Sequence, residues 1–248
     1  MEIIEDKEFR DKLISNMAAR EFSERTGTHS SDLIFCLNKT ALRKILNPEP
    51  AAHEILLFSV GWATQRWLSG GVEEKGIEVD GITVTPDVDV IDWDGVAIGI
   101  APWEGLPWEL KTTFQSSNKP ISENAHWLRQ LMAQCHVLGV TTAYLTRFEL
   151  MGDWSWVYKR KGVTPTEHPQ LHAYRVEFTA EEIAANWQWM RTRKEAFERL
   201  LRTNVSVNPK DISKAVLLPP QHALAPNQSW ECTYCLYADE CLRRKEEK

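Results

Sequence analysis

Two segments of the chain carry charged residues at alternate positions, Asp87 and Asp89 in TPDVDV and Glu109 and Lys111 in WELKTT, with Glu109 20 residues after Asp89. A period of two is that of a β-strand, on which every second side chain points to the same face. If the two strands pair, three carboxylates and one ammonium gather on one face of a sheet.

The flanking sequence alternates between helix and strand. Residues 5 to 26 are rich in helix formers, with Phe9, Leu13, Met17 and Ala18 apolar, and stop at Gly27. In HSSDLIFCLNKTALRKIL, Ser30 or Ser31 is placed to cap one helix that turns Leu33, Cys36, Leu37, Ala41 and Leu42 to one side. A further helix follows the Asn47-Pro48-Glu49-Pro50 break and closes at Ser69-Gly70-Gly71. From about Gly76 strands are expected, through a turn centred on Gly81 and period-two apolar residues that include Val84, Val88 and Val90. A strand at Trp108 to Thr112 precedes a helix from about Glu123 to Leu138, ended by Gly139, and TTAYLTRFEL, WSWVYKR and LHAYRVEF read as strands. Thr179-Ala180-Glu181-Glu182 is a capping box opening a helix to about Leu201, with Ile183, Trp187, Met190, Phe197 and Leu201 on one side. No internal repeat is visible, and residues 1–248 read as a single α/β domain with a helical N-terminal region and an irregular C-terminal one.

Composition narrows the function classes. With 29 Lys and Arg against 35 Asp and Glu, the net charge of −6 lacks the dominant positive field of a protein that coats nucleic acid. An enzyme acting on DNA stays open, since Arg43-Lys44, Lys159-Arg160-Lys161 and Arg191 to Arg202 are available to line a groove. No apolar run approaches the ~18 to 20 residues that cross a bilayer. The charged N-terminus lacks a signal peptide's apolar stretch, so the expectation is a cytoplasmic chain with no membrane partner. Of the 11 Trp, Trp62, Trp67, Trp154, Trp156, Trp187 and Trp189 read as packing residues, and an exposed one could stack on a base.

Carboxylates on neighbouring strands suit a hard cation. Mg2+ or Mn2+ takes oxygen ligands and keeps open positions for a phosphodiester. A lysine two positions from a ligand can orient an attacking water and offset charge on the phosphate oxygens. Taken alone, a Glu-x-Lys triplet is ordinary surface salt-bridge material.

TPD before apolar strand residues, then apolar-Glu-apolar-Lys-Thr-Thr, then a helix containing Gln130, resembles in this order the PD-(D/E)XK nuclease superfamily. The resemblance implies a restriction-endonuclease-like core, a mixed central β-sheet flanked by helices. It implies that Asp87 or Asp89 and Glu109 bind the metal and that Lys111 is catalytic. Asp87 follows the motif's Pro, whereas Asp89 fits the variant with an apolar residue before and two after. The RecB-like branch carries Gln-x-x-x-Tyr on the next helix. Gln130 matches and takes the implied role of arranging the substrate or the lysine, while Gln134 replaces the Tyr. The branch's Gly-x-x-x-His reads Gly61 to Gln65 here, so an amide stands where an imidazole would ligate the metal. His53 does not compensate, lying ~18 Å from Gln65 along the same helix and on another face.

Cysteines form a second constellation. Five Cys is a low, odd number, and Cys232, Cys235 and Cys241 fall within the last 17 residues. Zinc is the simplest occupant of a Cys-x-x-Cys near a chain end. With Cys36 upstream and the strand motifs between, the arrangement resembles the iron-sulphur RecB-like exonucleases, the CRISPR-associated Cas-four group and the AddB-type nuclease domain. In these, one upstream and three downstream cysteines ligate a 4Fe-4S cluster. The resemblance thus implies a cluster on Cys36, Cys232, Cys235 and Cys241, built from residues 30–50 and 205–248. It implies exonuclease action on single-stranded DNA ends and protein partners of CRISPR adaptation or recombination. Cys135 is left as a small packing residue. The competing reading is a catalytically degenerate nucleic-acid-binding or adaptor module with structural Zn or Fe-S, which Gln65 and Gln134 favour and the intact Asp87, Glu109 and Lys111 oppose.

Overall fold

The computed structural model of the protein describes residues 6–21, 26–69, 76–86, 92–93, 96–97, 106–114, 120–151 and 170–241. Helix α1 (Lys7–Glu21) precedes α2 (Ser30–Ile34), α3 (Leu37–Leu46) and α4 (Ala52–Ser69). A hairpin of β1 (Ile77–Val79) and β2 (Ile82–Val84) turns through Asp80 and Gly81 at φ 53° and 68°. Left-handed backbone at both central positions matches a tight turn to the twist of its strands, which is why Asp-Gly serves here. The short β3 (Asp92–Trp93) and β4 (Val96–Ala97) pair antiparallel. Then come β5 (Trp108–Phe114), α5 (Ala125–Leu138), β6 (Thr142–Met151), β7 (Gln170–Glu177), α6 (Ala180–Thr203) and α7 (Pro220–Ala223).

β5, β6 and β7 form one mixed sheet in that order, β5 parallel to β6 and β7 antiparallel to it. Parallel neighbours need a crossover, and α5 provides it. It ends at Gly139, whose φ of 69° lets the chain leave the helix directly into β6. Trp127, Leu131 and Cys135 of α5 bury against Ala143 and Leu145 of β6 and Ile183 of α6. On its other flank α6 sets Trp187, Met190, Phe197 and Leu200 against Leu33, Ile34 and Leu37 and against Ile82 and Val84 of the hairpin. Thr179 opens α6 as expected, accepting from the Glu182 N–H (3.1 Å) while Glu182 accepts from the Thr179 N–H (2.8 Å). The fold is thus α/β, a mixed sheet with flanking helices, consistent with a restriction-endonuclease-like core.

Several local expectations are corrected. The helix expected through Cys36 is two helices, and Cys36 sits at the break as the N-cap of α3. Its N–H goes to Glu231 (3.2 Å) and not to a helical carbonyl, while Arg193 takes the carbonyls of Leu33 and Phe35. The cap of α2 is His29, not Ser30 or Ser31, with Asp32 accepting from the His29 N–H (2.9 Å). Trp67 is 70% exposed, contrary to the packing role expected for it, and the α1 stripe of Phe9, Leu13 and Met17 is also exposed. Val88, Val90, Trp154, Trp156, WSWVYKR and Lys159 to Lys161 lie outside the described residues. Among the described residues no helix is long and apolar enough to cross a membrane.

The segment after α6 has little regular structure, so its backbone groups are satisfied by buried side chains of the helices. Asn38 of α3 donates to Leu218 O (2.8 Å) and accepts from Leu218 N (2.9 Å). Asn204 does the same for Val216. Arg193, buried at 7% exposure, forks into four carbonyls, those of Leu33 and Phe35 on one side and Ala223 and Leu224 on the other. Lysine cannot reproduce that planar fork. Arg193→Lys is therefore expected to cost about 2 to 3 kcal/mol, read as a lower urea midpoint and as earlier proteolytic cutting between residues 215 and 241.

Candidate metal centre and cysteine cavity

Strand alternation puts Glu109, Lys111 and Thr113 of β5 on one sheet face, in register with Leu145, Arg147 and Glu149 of β6. That is the face α5 covers. Glu109 is buried at 1% exposure, and a carboxylate so placed is costly unless its oxygens find donors. Both do. Lys111 Nζ donates to Glu109 Oε1, and Gln134 Nε2 donates to Glu109 Oε2. Lys111 is held in turn by Gln130 Oε1 at 3.0 Å.

Gln130 and Gln134 are four apart on α5 and share one stripe of its surface with His126. Burial lowers the His126 imidazole to about 4, with the Lys111 ammonium adding to the effect, so His126 is neutral at physiological pH. Gln134, which read as a lost family position, is fully buried and is a direct partner of the carboxylate. The sequence signal that could have found it is the i, i+4 pair of glutamines itself.

Helix α4 approaches β5 at Gly61, where an added Cβ would stand 3.4 Å from Thr112 Oγ1. Glycine here permits a close crossing. Gln65 follows one turn later on the same side of α4 as Gly61, and Thr112 belongs to the sheet face opposite Glu109 and Lys111. Asp87 and Asp89 lie outside the described residues, so the structure brings together Glu109, Lys111 and Gln130 of the expected set.

A hydrated divalent cation takes oxygen ligands. Glu109 is one carboxylate of the expected set, the Oε1 of Gln134 is a buried acceptor without a hydrogen-bond donor, and among the described residues no three His, Cys, Asp or Glu side chains gather to hold an ion. The second carboxylate of such a site would have to come from Asp87 or Asp89.

Some distance along the chain fold, Cys36, Cys232, Cys235 and Cys241 line one cavity of about 120 Å3 together with Asn38, Lys39, Leu224, Glu231 and Tyr237. Burial pushes the Cys36 thiol up to about 11 and also raises Cys235. Donors nonetheless point at two of the sulphurs. Tyr237 N lies 3.4 Å from Cys235 Sγ, and Asn38 Nδ2 lies 3.8 Å from Cys241 Sγ. Such contacts favour thiolates, and ligation by metal offsets the desolvation that burial imposes. Among the described residues no three His, Cys, Asp or Glu side chains close on a single ion. Cys135 is buried elsewhere, among the apolar residues of α5, β6 and α6, and burial pushes its thiol up to about 12. Glu231 and Arg193 were not anticipated as parts of this region, because each acts on partners far away in the sequence.

No protein-family model matches the chain, and no curated protein does. Among solved structures, SSO0001 superimposes with a TM-score of 0.53 at 14% identity, covering 93% of this chain and 94% of that one. An alkaline exonuclease, LHK-Exo from Laribacter hongkongensis, covers 76% of this chain and 94% of its own at 12% identity and a TM-score of 0.38. Its complex with dAMP gives 12% and 0.39. At such identities the likeness to SSO0001 is one of fold.

The buried pair makes a stability prediction. Lys111→Met leaves the Glu109 carboxylate without its cation and is expected to cost roughly 2 to 3 kcal/mol, at the low end for a broken buried pair because Lys111 is partly exposed. Combining it with Glu109→Gln should recover most of that loss, as a double-mutant cycle of denaturant melts would read.

Proposed function

We propose that the chain is a metal-dependent nuclease that hydrolyses DNA phosphodiester bonds, acting on single-stranded ends as an exonuclease of the PD-(D/E)XK type. The observation that carries the reading is the buried Glu109–Lys111 pair gripped by two glutamines of α5. Surface salt-bridge material, the alternative for a Glu-x-Lys triplet, would not be buried to 1% exposure and clamped from a second element. Glu109, with Asp87 or Asp89, would hold Mg2+ or Mn2+. When bound, the cation supplies Lewis acidity at the phosphate and lowers the pKa of the attacking water.

The chain's own residues then divide the remaining work. Gln134 fixes Glu109 through one oxygen. Gln130 keeps Lys111 in position when the carboxylate turns to the cation, so that the ammonium stands where negative charge builds on the phosphate oxygens. Gln65 stands where the family's imidazole would be, and the resemblance implies for it a hydrogen bond at the metal site.

The cysteine cavity supports a 4Fe-4S cluster on Cys36, Cys232, Cys235 and Cys241. Four cysteines lining one cavity, with donors near two of the sulphurs, support thiolate ligation, and the choice of iron-sulphur over zinc rests on the sequence resemblance. Residues 30–50 and 205–248 would fold as one cluster-binding region within a single nuclease domain. A reducing cytoplasm would suit such a cluster, and proteins of CRISPR adaptation or recombination are the partners that the sequence resemblance implies.

End-labelled single-stranded DNA incubated with Mn2+ tests the activity. The wild type should shorten it, and Lys111→Ala should be slower by about 10²- to 10³-fold, the range for losing one charge-stabilising donor. Cleavage by neither protein would favour a binding or adaptor module instead. For the cavity, protein purified without oxygen should hold about four iron and four sulphide per chain, whereas one zinc and no iron would refute the cluster.

A further inference from the structure

Three rings and a lysine link the two centres just described. Lys111 is held at 3.0 Å by Gln130, which lies one helical turn from His126 on the same stripe of α5. The imidazole of His126 stands with its centroid 6.0 Å from Phe35 and 5.7 Å from Trp230, and its neighbour Trp127 is 5.6 Å away on the buried side. Phe35 immediately precedes Cys36, and Trp230 lies two residues before Cys232 on the 3-10 turn Ser229–Tyr234. Trp127 is a core residue, but Phe35 and His126 are only partly buried and Trp230 is 46% exposed. Tyr234, at the end of the same turn, is 77% exposed. An open aromatic surface therefore starts at solvent beside the cysteine cavity and ends at the Glu109–Lys111 pair.

Packing does not explain it. An indole left half in water gains only part of the burial energy it could have, and its tilted contact with an imidazole is a weak ring pair. A nucleobase is the ligand such a surface fits, because every base has a π-face and stacking on aromatic side chains is tolerant of sequence. Continuity with Lys111 says which part of the nucleic acid this is. A base seated on the rings belongs to a nucleotide whose phosphate chain leads directly to the carboxylate and ammonium. In a duplex the base faces are already stacked on one another, so only an unpaired strand can use the surface.

We infer that Trp230, with His126 and Phe35, forms a stacking platform that seats bases of single-stranded DNA next to the scissile phosphate, so that the cysteine-bearing tail contributes to substrate recognition. This rests on the proposed nuclease reading for its orientation toward the site. It does not need catalysis to be tested.

Binding of a labelled single-stranded oligonucleotide and of its duplex is measured by fluorescence anisotropy with the full chain in EDTA, where no cleavage occurs. Trp230→Ala should weaken single-strand binding about tenfold, within the range for losing one base-aromatic stack. Trp230→Phe should restore most of it, and duplex binding should not change. Equal single-strand affinity for Trp230→Ala and the wild type, or equal losses for both DNA forms, would overturn the platform.

A second measurement covers the case in which Trp230→Ala disturbs the cysteine region. A 5-iodouracil oligonucleotide photo-cross-linked to the wild type should yield peptides carrying Trp230, Phe35 or His126, and cross-links confined to other peptides would overturn the proposal. A wild type that binds through Trp230 yet cleaves nothing would remove the nuclease reading and leave the platform. One that cleaves normally while Trp230→Ala binds as well as wild type would do the reverse.

Discussion

A carboxylate taken out of water has to be answered by donors, and Glu109 sets that demand at the centre of this fold. The answer comes from two directions. Lys111, two positions along the same strand, is delivered to the same face by the pleat. Gln134 and Gln130 arrive from the crossover helix that the parallel pairing of β5 and β6 requires in any case. The β5-α5-β6 unit is thus at once a folding motif and a clamp. Its apolar side, Trp127, Leu131 and Leu145, keeps the helix seated, and its polar side fixes the charges. Moving α5 by one turn would unseat both together.

The cysteine region applies the same rule to backbone groups. A tail with short 3-10 turns and one single-turn helix cannot satisfy its own amides, so Asn38, Asn204 and Arg193 lend side chains to it. Arg193 keeps its charge in a buried setting, although burial lowers it to about 10, because four carbonyls surround it. The result joins α2 and α3, near the start of the chain, to residues beyond 215. Four cysteines then share one cavity. The two centres meet at α5, where the His126 ring lies 5.7 to 6.0 Å from the aromatic rings of the cysteine region and Gln130, one turn on, holds Lys111.

How far the sequence could be read follows from the range of the interactions. The ends of α5 and α6 and the Asp80-Gly81 hairpin depend on neighbours within four residues, and each was readable from Gly139, Thr179 or Gly81. The alternation that pairs Glu109 with Lys111 is equally local. The break at Cys36 was not readable, because its cause is a carboxylate 195 residues away. Gln134 reads in the sequence only as the residue standing in place of the family's Tyr, and the helix's docking on β5 is what makes it the carboxylate's partner. The packing role expected for Trp67 rests on residue type, which does not say which side of α4 meets the core, and its side chain is exposed.

In the proposed reading Glu109 is held ready for a divalent cation. The sharpest test is the number and affinity of Mn2+ ions bound, followed through the electron paramagnetic resonance signal of free Mn2+ during titration of the purified chain. One site per chain in the wild type that disappears in Glu109→Gln, with the fold intact by circular dichroism, is the predicted result. Identical Mn2+ binding curves for the two proteins would show that the buried carboxylate serves the fold and nothing more.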